Sequence, residues 1–146
     1  LVPLDGSKLG EVAIPYAETL AQVLGAELVL FQAFVPPPLP TGYEGRGRVS
    51  LTVFKETEEQ MKASAMAYLD SLGKSFQEKG LSTSSVVRLG SAPDQILEYA
   101  KANAIDLIAM STHGRSGIGR WVLGSVTDKV LHAGDTAVLT IRATKV

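Results

Sequence analysis

Ile105-Asp106-Leu107-Ile108-Ala109-Met110-Ser111-Thr112-His113-Gly114-Arg115-Ser116-Gly117-Ile118-Gly119-Arg120-Trp121-Val122-Leu123-Gly124-Ser125-Val126 is the stretch on which the fold turns. It opens with an almost continuous apolar run, Ile105–Met110. That pattern marks a strand covered on both faces, as in a parallel sheet. Four glycines follow, interleaved with small hydroxyl residues. Then Val126–Ala133 has the composition of a helix. A strand that runs through a glycine-rich turn into a helix is the unit from which α/β folds are built.

The same alternation continues outward in both directions. Beyond the helix, Thr136–Arg142 is apolar and β-prone, a fifth strand. Upstream, Ser91 and Pro93 start a helix that runs to Ala102, and Ser84–Leu89 precedes it as the third strand. Thr52–Lys79 is a long helix with Met61, Ala65, Tyr68, Leu69, Leu72 and Phe76 on one face and Gly80 as its stop. Val35–Ser50 holds Pro36, Pro37, Pro38 and Pro40, then Gly42, Gly45 and Gly47, and reads as a long connecting loop, with a flap or partner site as the alternative. Ala26–Phe34 is the second strand, apolar apart from Glu27 and Gln32. Ahead of it, Val12, Ala13, Tyr16, Ala17, Leu20, Val23 and Leu24 recur at helical spacing. Ser7 suits the start of that helix and Gly25 its end, while Pro15 should bend or break it. Leu1–Asp5 is the first strand. Five strands alternating with helices imply right-handed crossovers and a parallel sheet with helices on both faces. No internal repeat or linker divides the chain, so residues 1–146 read as one domain.

Bulk composition excludes several classes. The 146 residues are enough for a single core without staples. There is no cysteine, hence no disulfide or thiolate metal site. Net charge is −1, which gives no reason to expect a nucleic-acid or anionic-membrane partner. No apolar run approaches the length of a membrane span and no signal peptide is visible, so a cytoplasmic location is expected. Because Leu1 already reads as strand, a few residues are expected ahead of it.

In an open parallel sheet, ligands bind at the carboxyl ends of the strands. The residues there are Pro3-Leu4-Asp5-Gly6-Ser7 after the first strand, Gln32-Ala33-Phe34 after the second, and the glycine-rich stretch after the fourth. Glycines let backbone amides approach a ligand closely, and the helix that follows presents its positive end. Ser125 is placed to cap that helix and offer its hydroxyl. Between 112 and 132, Arg115, Arg120 and Lys129 face a single acid, Asp128. A polyphosphate fits this chemistry best. The G-x-x-x-x-G-K-[ST] phosphate loop is absent, and Gly117-Ile118-Gly119 starts a G-x-G-x-x-G that lacks its third glycine and follows the wrong strand.

The sequence resembles the universal stress protein family over essentially its whole length. Leu1-Val2-Pro3-Leu4-Asp5-Gly6-Ser7 resembles the family's first strand. Met110-Ser111-Thr112-His113-Gly114-Arg115 resembles the end of its fourth. Gly114, nine residues, then Gly124-Ser125 is similar to the G-x2-G-x9-G-[ST] signature of the ATP-binding members, with Ser111 at the first glycine position. The resemblance implies a Rossmann-like open sheet of five strands and often a dimer joined through the last strands, here Thr136–Arg142. It implies a bound adenine nucleotide: ATP, AMP or another, with Mg or Mn carried on the phosphates. Carried over by position, Pro3, Asp5 and Ala33 line the adenine and ribose end, with Met110 and Ser111 beneath the nucleotide. Gly114, Gly124, Ser125 and Val126 hold ribose and phosphates. Arg115 and Gly117 complete the loop side of the site. Ala33 stands where valine is frequent, leaving extra room near the base.

The chain therefore reads as a stress-response or regulatory module that binds a nucleotide, with any hydrolysis expected to be slow. Two rival readings remain open. One is a slow ATPase or nucleotidyl-transfer enzyme, with Asp5 positioning water and Arg115 or Arg120 stabilising charge. The other is an interaction domain with a vestigial site. His113 lacks an evident acid or nucleophile beside it and reads as structural. His132 reads as a helix C-terminal cap, and Trp121 as packing beneath the glycine loop.

Overall fold

A computed structural model describes residues 1–38, 47–113 and 123–143, with backbone alone for 47–51. The strands are β1 (Val2–Pro3), β2 (Leu28–Phe34), β3 (Thr83–Leu89), β4 (Leu107–Ser111) and β5 (Ala137–Ile141). The helices are α1 (Ile14–Leu24), α2 (Gly47–Gln77), α3 (Ala92–Ala102) and α4 (Ser125–Ala133). A 3-10 turn, Gly10–Ala13, leads directly into α1. The chain is thus α/β, with the alternation of elements that the sequence predicts.

All strand pairs are parallel. They fall into a three-stranded sheet in the order β1-β2-β3 and a pair, β4-β5, where the sequence predicts one sheet of five. The two sheets abut at Leu1. Its N–H group donates to the Leu107 carbonyl at 2.8 Å, and its carbonyl accepts from Ala109 N–H at 2.9 Å. Pro3, the next residue on the side of Leu1, has no N–H to extend this pairing, and Leu4 N–H faces the other way and donates to the Phe31 carbonyl at 2.8 Å.

Alternation along the strands feeds two cores. Leu28 and Leu30 of β2 join Val2, Leu4 and Ala109 on one face, with Ala17 and Ala21 of α1 and Leu69 and Phe76 of α2. Val29 and Phe31 join Ile108 and Met110 on the other, with Ile96 and Ala100 of α3 and Val130 of α4. Each face thus carries two helices. Fully burying residues such as Leu30, Phe31 or Ile108 contributes about 1.5–3 kcal/mol apiece.

Several local expectations shift. Pro15 does not break a helix. It occupies the first turn of α1, where its missing N–H costs nothing, and the residues before it form the 3-10 turn. Ser7 Oγ accepts from Gly10 N–H at 3.0 Å, so it closes the turn ahead of the 3-10 segment rather than capping α1. Tyr16, Val23 and Leu24 are exposed, and the 3-10 turn buries Ala13 while α1 buries Ala17 and Ala21. Small side chains let the turn and helix lie close to the strands. α2 begins at Gly47, inside the stretch expected to be loop. Gly25 ends α1 at φ 63°, a left-handed conformation that favours glycine.

Candidate functional site

β2 lies on one side of β1 and β4 on the other, so the order of strands reverses at β1. At such a point the connecting helices diverge and leave a crevice at the carboxyl ends. A cavity of about 300 Å³ occupies it, at the small end of the range for ligand pockets. Pro3, Asp5 and Ala33 line one end, Met110 and Ser111 the floor, and Gly124, Ser125 and Val126 the far end. The structure therefore gathers eight of the residues the sequence singles out, from four separate segments, onto one cavity. Gly114, Arg115 and Gly117 lie outside the described residues, as do Arg120 and Trp121.

The near wall is built around Asp5. Its Oδ1 accepts from Ser7 N–H at 3.0 Å and from Ser7 Oγ at 2.6 Å. Gly10 packs directly on this carboxylate, and a Cβ there would lie 2.6 Å from Oδ1. Two hydrogen bonds and a close backbone neighbour thus fix where the negative charge stands. Glu11, one residue on, accepts from Tyr68 Oη at 3.1 Å and pairs with Lys8 at 2.7 Å.

The far wall joins the end of β4 to the start of α4. Gly124 N–H donates to the Thr112 carbonyl at 2.8 Å, and a Cβ on Gly124 would lie 2.8 Å from that oxygen. Its φ of −58° and ψ of 144° suit any residue, so glycine is required here for space alone. The amide of Gly124 is thereby committed to β4 and does not face a ligand. Gly124 also takes the N-cap position expected for Ser125, which becomes the first helical residue. Thr127, 2% exposed, donates its hydroxyl to the Ser111 carbonyl at 2.9 Å and locks α4 against β4.

The first three amides of a helix have no intrahelical acceptor. Here they belong to Ser125, Val126 and Thr127, all on the cavity wall. The N-terminal end carries about half a positive charge, so the far end of the cavity suits an anion. The middle is apolar, walled by Phe31, Ile96 and Met110, and accepts a flat apolar body. His113 sits beside the floor with Nδ1 3.0 Å from Thr112 Oγ1, and its N–H donates to Ser111 Oγ at 3.3 Å. His132, in the last turn of α4, has Nδ1 2.8 Å from the Asp128 carbonyl, consistent with its reading as a cap.

Gly10, Phe31, Ala92, Ile96 and Thr127 line the cavity without having been singled out. Gly10 alone carried a local signal, being a small residue just after the strand-end acid. The others are core residues of β2, α3 and α4 whose outer edges form the wall. Among the described residues, no group of three or more His, Asp or Glu side chains converges as a metal centre. Asp5 is the acid on the cavity wall, so a divalent ion fits here only when most of its oxygen ligands come from phosphate. No described helix is long and apolar enough to cross a membrane.

Residues 1–142 match the family model described as "Universal stress protein family". Universal stress protein YxiE of Bacillus subtilis is 28% identical over 143 residues, covering 97% of each chain. Among solved structures, the hypothetical protein MJ0577 of Methanocaldococcus jannaschii superposes with a TM-score of 0.83 at 19% identity, over 99% of this chain and 95% of that one. A universal stress protein in complex with cAMP gives 0.60 at 21% identity, over 98% and 94%. A family member from Arabidopsis thaliana with AMP bound gives 0.60 at 13% identity, over 98% and 89%.

Proposed function

The chain belongs to the universal stress protein family, and on that premise we propose that it is a regulatory module that binds an adenine nucleotide, ATP foremost, in the crevice between β1 and β4. One observation carries the reading: the cavity that joins Asp5 to the start of α4 is open, apolar in the middle and positive at one end. A nucleoside monophosphate has the matching polarity. The base would lie on Met110 and Ala33, the ribose hydroxyls would bond to Asp5, and the phosphates would take the amides of Ser125, Val126 and Thr127. Arg115 and Gly117 of the glycine stretch would contribute contacts to the phosphates. Mg²⁺ or Mn²⁺ would ride on the phosphate oxygens. The similar chains solved with cAMP and AMP support an adenine ligand.

In this reading the two sheets act as one surface in the order β3-β2-β1-β4-β5, and β5 supplies an outer edge for a second copy of the chain. Nucleotide binding would alter the glycine stretch and so change partner choice. Calorimetry on ligand-free protein tests the proposal. ATP or AMP should bind at one site per chain, and Gly124→Val should abolish binding. No heat and no thermal shift at millimolar nucleotide would overturn it.

A further inference from the structure

β2 carries one polar side chain inside its apolar run, Gln32, which is 8% exposed. Its Oε1 is buried and has no hydrogen-bond partner among the described residues. Such orphans are rare because burying an unpaired polar atom is costly. Gln32 stands on the wall of a second cavity, about 610 Å³, between the end of β2 and the middle of α2. Gln60, Ser64 and Tyr68 of α2 complete its polar lining. Asp5 and Ala33 belong to both cavities, so the second adjoins the first at the end remote from α4.

We infer that this second cavity is a subsite for an uncharged, hydrogen-bonding substituent on the base or ribose of the bound nucleotide. The inference rests on the nucleotide reading above and extends it. Its direction follows from the placement of charge. The anionic end of a ligand belongs at α4, where the helix amides are. The end at Asp5 and Ala33 is then the base and ribose, and a group attached there enters the second cavity. Asp5 lines that cavity, and Glu11, which is paired with Lys8, accepts from its Tyr68. The Asp5 carboxylate repels a second phosphate there. A carboxamide presents an oxygen and a nitrogen side by side, matching amide, hydroxyl or base-edge groups. The small side chain of Ala33 leaves the boundary between the cavities low.

The test compares three probes on the full chain by titration calorimetry: AMP, 2′/3′-O-(N-methylanthraniloyl)-AMP and N6-(2-hydroxyethyl)-AMP. At least one substituted probe should bind about five- to tenfold tighter than AMP, as one added hydrogen bond with some burial implies. Gln32→Leu should return that probe to the AMP level while AMP itself binds as before. Ser64→Phe fills the cavity from an exposed position on α2, and it should exclude the substituted probe and spare AMP. If AMP binds but neither substituted probe gains, the subsite does not exist and the nucleotide reading stands. If Gln32→Leu weakens AMP and the substituted probe equally, Gln32 acts on the whole domain and the inference fails. If neither AMP nor ATP binds wild type at all, both readings fall.

Discussion

The two walls of the crevice are both closed by a glycine, yet by opposite means. After β1, Gly10 backs onto the tip of a side chain, the Asp5 carboxylate, with a Cβ position 2.6 Å from Oδ1. After β4, Gly124 backs onto main chain, the Thr112 carbonyl, with a Cβ position 2.8 Å from its oxygen. The first contact can yield when a carboxylate rotates. The second can yield only when α4 moves off β4, and Thr127 holds α4 in place through the Ser111 carbonyl. The β1 wall therefore positions a charge and can be tuned by side chains. The β4 wall sets the distance between strand and helix.

Gly124→Ala should produce the largest effect among single-methyl changes at the crevice. The methyl group cannot be accommodated by a rotamer, so strand and helix must separate. Overpacking of this kind costs about 1–3 kcal/mol, and this site belongs near the upper end. Urea denaturation would measure the loss, and nucleotide titration should show weaker binding, since the amides of Ser125 to Thr127 move with the helix. A variant as stable as wild type would mean that the β4 wall is as pliant as the β1 wall.

This contrast also marks how far the sequence could be read. The alternation of elements was legible because β2, β4 and β5 are short, largely apolar runs, while the more polar β3 is set off by Gly80 before it and by Ser91 and Pro93 after it. The cavity residues Pro3, Asp5, Ala33, Met110 and Ser111 were legible from their positions at strand ends. The roles of Gly124 and Ser125 were not. A glycine before a helix announces a close approach without saying to what, and the answer, the Thr112 carbonyl, is supplied by the tertiary fold. In α1, periodicity alone could not choose between Val23 and Ala21. The sheet chose the smaller residue because the helix lies close to it. The same limit applies to Gln32, visible as the break in an apolar run but not as the wall of a cavity.

Gly10→Ala should have a smaller effect. Displacing the Asp5 carboxylate weakens its bonds from Ser7 N–H and Oγ, at 3.0 and 2.6 Å. A hydrogen bond to a charged group is worth about 1.5–3 kcal/mol, but the carboxylate can rotate and regain contact with water, so only part of that is lost. Thermal melting should fall less than for Gly124→Ala, while nucleotide affinity should fall several-fold if Asp5 bonds the ribose. A loss of stability equal to that of Gly124→Ala would show that the carboxylate is held as rigidly as backbone. Unchanged affinity would remove Asp5 from the ligand contacts.

The smallest effect concerns alkaline pH and belongs to the β1 wall alone, since the contact between Gly124 and Thr112 contains no titratable group. Burial raises the pKa of the Tyr68 phenol above its ordinary 10.0, helped by the charge of Glu11, the hydrogen bond to it and the charge of Asp5. The folded protein thus holds this proton more tightly than the unfolded chain does. The associated stability is complete below about pH 10 and is lost as pH rises toward the higher folded-state value. Tyr68→Phe keeps most of the ring packing and deletes the titration. Its deficit relative to wild type in urea midpoint should therefore be constant through neutral pH and shrink above about pH 10. A deficit that stays level through that range would mean that the phenol titrates alike in both states, and that Glu11 and Asp5 exert no hold on it. The β1 wall would then be set by packing alone, as the β4 wall is.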